Sequence, residues 1–298
     1  MSQPPQAPHG RVVVGFDGSA HAERALDRAA DEARRRGTAL EILAGWPWPK
    51  RPLPGYGVQD DEGKLLYSSA RRMMDGAVAR ARSRAPNTTM IPSLTTESAA
   101  EALLRCGRTA SLTVVGTRGH GGFAGLLLGS VSLRVAAHCT SPVMVVRGDV
   151  DRVRDTIILG LASEAETDVK ALRFAFDEAA RRDAGLRVLH AWRSPAPRSD
   201  QARPSQLGWD DVEGLRKAAE AVPQYAVASL AQEYADVRAS ATAVCQSPPQ
   251  AIVEASREAD AIILAVHRRP RHFGLQLGPV THAALHHAHC PVVLVPTD

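Results

Sequence analysis

The sequence predicts an α/β protein: two tandem doubly wound domains, each an open five-stranded parallel sheet with helices on both faces. Three observations predict it. Short β-branched, apolar runs alternate with longer helical patterns, which is the signature of βαβ units. The same order of elements returns in the second half of the chain. The length of 298 residues is that of about two domains of roughly 150. Composition agrees. The chain is 44% hydrophobic but only 4% aromatic, so its core rests on Ala, Val, Leu and Ile, as in buried parallel sheets.

Arg11 to Phe16 reads as the first strand, with Asp17-Gly18-Ser19 at its carboxyl end. Ser19 is placed to cap a helix from Ala20 to Arg36, and Gly37 to stop it. Ala22, Ala25, Leu26, Ala29 and Ala33 recur at helical spacing and make its buried stripe. Leu40 to Trp46 is the second strand. Pro47 to Gly63 is rich in Pro and Gly and carries no clear element; it is either disordered or folded over a ligand. A helix from about Leu65 to Arg84 follows, ending before Pro86. Thr88 to Thr96 is the third strand, Ala99 to Arg108 a helix, and Leu112 to Gly116 the fourth strand. After a glycine-rich loop comes a two-turn helix, Val131 to His138, and Ser141 to Val146 is the fifth strand. The crossovers are expected to be right-handed and the strand order 3-2-1-4-5. That order puts strands one and four side by side, so Asp17 and the glycine loop meet in one crevice at the carboxyl ends.

The repeat is legible residue by residue. Thr156 to Leu161 mirrors the first strand, and Val188 to Trp192 mirrors Ile42 to Trp46. Ala261 to Leu264 answers to Leu112 to Val115, Leu277-Gly278 to Leu128-Gly129, and His289 to Val292 to Thr140 to Val143. The last three pairs share one offset, 149. The expected boundaries are a disordered tail over 1–9, a first domain over 10–148 and a second over 149–298.

The net charge is +4, from 36 basic and 32 acidic residues. These charges are dispersed and no basic run carries interleaved aromatics, so nothing supports nucleic-acid binding. No apolar stretch approaches the roughly 18 residues of a membrane span. The polar, Pro-rich start lacks the apolar region of a secretory signal. Four cysteines without a C-x-x-C pair read as free thiols in a reducing cytoplasm.

The stretch from Gly116 to Ser130 holds six glycines in fifteen residues. Glycine permits positive φ and close approach of another group. A helix start presents free N–H groups and a positive dipole end to an anion. Gly129-Ser130 lies at such a start, with the Ser130 hydroxyl as a further donor. The loop is not a Walker A sequence, since no Gly-Lys-Ser/Thr follows. Nor does Gly119-His120-Gly121-Gly122 have the spacing of the dinucleotide fingerprint. A surface loop that binds nothing is the competing reading.

The spacing is Gly116, two residues, Gly119, nine residues, Gly129-Ser130. It resembles, without a gap, the ATP-binding signature of the universal stress protein family. The resemblance covers nearly the whole chain as a tandem of two such domains. It implies that Asp17 contacts the adenosine part of ATP and that about Ala44 lines the adenine pocket. It implies that Gly116, Thr117, Arg118, Gly119, Gly129, Ser130, Val131 and Ser132 hold the ribose and phosphates, with Mg²⁺ on the latter. For Asp17 the competing reading is a carboxylate that satisfies the amides of a helix start.

The second copy departs from that pattern. Ala162 stands for Asp17, Ala265 for Gly116, Arg268 for Gly119 and Pro279 for Ser130. Pro279 lacks both the hydroxyl and the backbone N–H that a phosphate would want. One nucleotide per chain is therefore expected, in the first domain. Arg268, Arg269 and Arg271 are an alternative anion site, read more simply as a solvated basic loop. His282, His286 and His289 follow i, i+4, i+7 spacing. No cysteine or carboxylate completes a zinc pattern around them, and no metal is assigned.

The sequence shows no Ser-His-Asp signature, no paired carboxylates and no general base beside the phosphates. The expected function is that of a cytoplasmic, ATP-binding stress-response regulator read by a protein partner. A slow ATPase or phosphotransferase, and a nucleotide-free assembly module, are the alternatives. Strand five is an edge in each domain and needs cover. Pairing of these edges within the chain would supply it, and the family implies a homodimer.

Overall fold

The computed structural model describes residues 10–45, 60–119, 128–148, 152–162, 169–193, 209–267 and 277–297. The chain divides into two compact units, Met1–Val150 and Asp151–Asp298.

The first unit runs β1 (Val12–Gly15), α1 (Ala20–Arg36), β2 (Leu40–Gly45), α2 (Asp60–Arg84) and β3 (Met90–Thr95). It continues with α3 (Ala99–Gly107), β4 (Leu112–Gly116), α4 (Ser130–His138) and β5 (Val143–Val146). All strand pairs are parallel and the order is β3-β2-β1-β4-β5. Val12 pairs with Leu40 on one side and Leu112 on the other, so β1 is central. Val12, Val13 and Val14 are fully buried, as a strand covered on both faces requires. Helix α1 packs on α2, and α3 packs on α4, which gives the two helical layers of a doubly wound domain.

Helix α1 illustrates how local chemistry sets bounds. The Ser19 hydroxyl accepts from the Ala22 N–H at 3.2 Å, and Gly37 closes the helix at φ 60°. Its apolar stripe, Ala22 to Ala33, is buried. On its other side the Asp27 carboxylate accepts from Nε and Nη2 of Arg80 on α2, each at 2.7 Å. Helix α2 starts at Asp60, five residues earlier than expected from sequence, and so contains Gly63. A glycine costs a helix interior about 1 kcal/mol, and the buried row Ala70, Met74, Ala77 and Ala81 outweighs it. Residues 46–59, most of the expected Pro-Gly excursion, lie outside the described residues, as does the 1–9 tail.

The second unit repeats the order with β6 (Thr156–Leu161), α5 (Val169–Arg182), β7 (Gly185–Trp192), α6 (Trp209–Leu230) and β8 (Ala239–Cys245). It closes with α7 (Pro248–Ala255), β9 (Ala261–His267), α8 (Pro279–His287) and β10 (Val292–Thr297). Its parallel order is β8-β7-β6-β9-β10. Helix α5 ends on Asp183 at φ 52°, where α1 ends on Gly37 at φ 60°.

Each unit buries a glutamate against an arginine one turn along its own helix, Glu32 with Arg36 and Glu178 with Arg182, and one further buried pair distinguishes the first unit. In the first, Arg11 and Glu41 form an ion pair at 2.5 Å, with side chains only 5% and 6% exposed. Cys106 lies 3.7 Å from the same carboxylate. Burial, with Glu41 beside it, pushes the Cys106 thiol above its ordinary value, so it stays protonated. Cys139 and Cys290 are also buried cysteines outside any disulfide, and Cys245 is exposed. The rings of His282 and His286 stack at 4.2 Å. His289 lies beyond the end of α8 and receives the Arg257 Nε at 3.3 Å, so the three histidines share no helix face. Among the described residues no group of three or more His, Cys, Asp or Glu is placed to hold a metal. No described helix is long and apolar enough to cross a membrane.

Candidate functional site

The candidate site of the first domain is a crevice of about 220 Å³ at the carboxyl ends of β1 and β4. Sheet topology makes it. The chain leaves β1 for α1 on one face and leaves β4 for α4 on the other, so a cleft opens between them. Gly15, Phe16, Leu43 and Leu103 give it an apolar floor, and Asp17, Arg118, Gly119 and Ser130 give it a polar rim.

Asp17 works in two directions. Its Oδ1 accepts the Ser19 N–H at 3.0 Å and so steadies the start of α1. Its Oδ2 sits beside Gly119, in the space a Cβ there would take. Asp17 therefore faces the loop because residue 119 has no side chain. Gly116 serves packing. A Cβ on it would stand 2.7 Å from the His21 carbonyl oxygen, so only glycine lets the end of β4 lie this close to α1. The glycine loop is pinned at its neck, where the Gly129 N–H donates to the Thr117 carbonyl at 2.7 Å. Ser132 donates its hydroxyl to the Gly116 carbonyl at 2.6 Å, which ties α4 to β4. Residues 120–127 lie outside the described residues.

Helix α4 begins on Gly129, with no side chain capping its first turn. Its free amides are thus left for another acceptor, with the exposed Ser130 hydroxyl at the same end. Asp17, Gly116, Arg118, Gly119, Gly129, Ser130, Val131 and Ser132 all line the crevice. Two residues expected in the site do not. Ala44 is buried within β2, while Leu43 and Gly45 line the crevice, because alternate residues of a strand face opposite ways. Thr117 turns toward α1, where its hydroxyl meets His21 Nδ1 at 3.1 Å.

His21 is the residue the sequence did not disclose. Its Nδ1 also meets Arg24 at 2.6 Å. Burial, then Arg24 and Arg118, hold its pKa below the ordinary imidazole value, against the opposing pull of Asp17. Its position two residues after the Ser19 cap, on the first turn of α1, was the available signal. Gly45 carried a signal too: a Cβ there would stand 3.0 Å from the Ala99 backbone, so a glycine at that strand end marks a close approach of α3.

The equivalent crevice of the second domain, about 250 Å³, is lined by Leu159, Leu161, Ala162, Leu189, Ile252, Leu264 and Ala265, with His267 and Thr281 among its few polar groups. Helix α8 starts on Gly278 with Pro279 in its first turn. Arg268, Arg269 and Arg271 lie outside the described residues.

The profile of the universal stress protein family matches this chain twice, over residues 9–147 and 154–296. Universal stress protein Rv2005c of Mycobacterium tuberculosis is 29% identical over 301 residues, covering 97% of this chain and 98% of that protein. Universal stress protein Rv2623 of the same organism is 29% identical over 296 residues, covering 95% of each. The crystal structure of a universal stress protein from Archaeoglobus fulgidus superposes with a TM-score of 0.68 at 15% identity, over 96% of each chain. That likeness concerns the fold. With two matches to the family profile that together span most of the chain, and both sheets in the order that the first half of the sequence predicts, the chain belongs to the universal stress protein family.

Proposed function

We propose that this protein is an ATP-binding stress-response regulator whose first domain holds the nucleotide. The observation that carries the reading is the meeting of Asp17, Gly119 and the uncapped start of α4 at one crevice. The residues fit the ligand. The apolar floor suits a purine, and Asp17 can accept from ribose hydroxyls. The α4 amides, the Ser130 hydroxyl and Arg118 offer donors and positive charge to phosphates. A crevice of about 220 Å³ suits the nucleoside, with the phosphates running out over the start of α4. When bound, the triphosphate supplies charge to neutralise, and Mg²⁺ would ride on its oxygens rather than on a protein cluster.

On this reading ATP biases the glycine loop toward one conformation, and a protein partner in the cytoplasm reads the surface so formed. Such a switch needs ATP to bind the two loop states unequally. The chain would act as a homodimer. The test is calorimetric titration with MgATP of the native protein and of Ser130→Ala, with phosphate release followed in parallel. We expect saturable binding, weakened about tenfold by loss of one hydrogen bond to a charged group, and no turnover above background. Turnover that disappears with Ser130→Ala would replace the regulator by a slow ATPase. Absence of binding would overturn the reading.

A further inference from the structure

Among the described residues, the crevice of the second domain keeps few polar groups but has not lost its room. Position for position, Asp17 gives way to Ala162 and Ser130 to Pro279, while Leu43 and Val131 keep apolar counterparts in Leu189 and Val280. Arg118 is answered by His267, whose Nδ1 is engaged with the Thr297 hydroxyl at 2.9 Å. Two glycines of the first site, Gly45 and Gly116, become Ala191 and Ala265. Those methyl groups should shrink the space. The cavity nonetheless stays comparable in size, about 250 Å³ beside about 220 Å³ in the first domain.

A domain kept only as scaffold has reason to close such a hole. Apolar wall left facing water forgoes roughly 25 cal/mol for each Å² that burial would gain. Enlarging Ala162 or Ala265 would have filled it. Nor does the wall suit a phosphate, because an unpaired charge against Leu161, Ile252 and Leu264 is costly and Pro279 offers no N–H. We infer that the second-domain crevice is a binding site for an uncharged, largely apolar small molecule. An apolar cavity of about 150 Å³ takes a benzene ring, so this one suits a ligand of roughly ten non-hydrogen atoms, such as a fused pair of rings. The inference is independent of nucleotide binding in the first domain.

The test uses 2-naphthol, uncharged at neutral pH, and naphthalene-2-sulfonate, its charged counterpart, titrated by fluorescence into the full chain with and without saturating MgATP. The expected result is one 2-naphthol site per chain that ATP does not displace, with the sulfonate bound at least tenfold more weakly. Ala265→Phe fills the cavity and should weaken 2-naphthol at least tenfold. Val280→Asp, which puts a carboxylate at a half-buried position of the apolar wall, should do the same and decides the matter if the larger residue impairs folding. The inference is overturned by no saturable binding, by displacement with ATP, by equal affinity for the sulfonate, or by affinity unchanged in both variants.

Discussion

The two crevices share a place in the fold and differ in what meets there. In the first, a carboxylate, a side-chain-free loop position and an uncapped helix start converge. In the second, Ala162 stands for Asp17 and Arg268 for Gly119, the helix start has no side-chain cap either but opens on Pro279 in place of Ser130, and the described walls are mainly leucine, isoleucine and alanine. The sheets beneath are the same. Topology thus makes the cleft, and a handful of side chains at the strand ends decide its chemistry.

A contrast of the same kind lies in one buried ion pair, and it carries the largest expected effect. Arg11 and Glu41 are paired inside the first domain. The matching position of Glu41 is Arg187, which instead reaches Glu258 at 3.1 Å, with the glutamate side chain 72% exposed. Removing one partner of a buried pair strands the other charge and costs about 3–5 kcal/mol, whereas an exposed pair is worth at most about 1 kcal/mol. Arg11→Ala should therefore sharply raise hydrogen exchange in β1, β2 and β4, and Arg187→Ala should barely move it in the second domain. Equal effects would break the contrast.

Next comes the site itself. Gly119→Arg copies the second domain's residue into the first and puts side-chain atoms where the Asp17 carboxylate now lies. MgATP affinity should fall at least about a hundredfold, or about 2.7 kcal/mol, with the circular dichroism spectrum unchanged. Retained affinity would mean that the Asp17–Gly119 juxtaposition is incidental.

Much of this was legible in the sequence, for reasons that name the exceptions. Helix α1 carried its own punctuation, a Ser19 cap and a Gly37 stop, and both bounds are met. The constant offset of 149 residues carried the repeat through the last strands. What failed was the facing of β2. Every residue from Leu40 to Ala44 is buried, so the strand has no polar alternation to say which side chains point toward the crevice. Gly45, not Ala44, lines it. The Thr117–His21 contact spans 96 residues of sequence and leaves no trace in spacing. Glu41 sits in a run read as a buried strand, and only the fold brings Arg11 beside it.

Smaller effects sharpen the comparison. His21, with its lowered pKa, is held neutral beside Arg24 and Arg118. The unfolded chain takes up that proton first, near pH 6.5 or about the ordinary imidazole value. Stability present above that pH is therefore lost as pH falls through it toward the folded value. His21→Asn should flatten this acid-side slope in urea unfolding, and an unchanged slope would assign it to other groups. The smallest change concerns the ends of α1 and α5. Asp183 holds the left-handed conformation that Gly37 adopts at the equivalent place. Asp183→Gly should raise stability by at most about 1 kcal/mol, read as a shift in the second domain's unfolding midpoint.

The most direct test of the central claim, that one of two matching crevices is a nucleotide site, is to count nucleotides. Native mass spectrometry of the full chain with excess MgATP should show one nucleotide per chain, lost in Gly119→Arg. Two nucleotides per chain, or one that survives that substitution, would contradict the division of labour between the two domains.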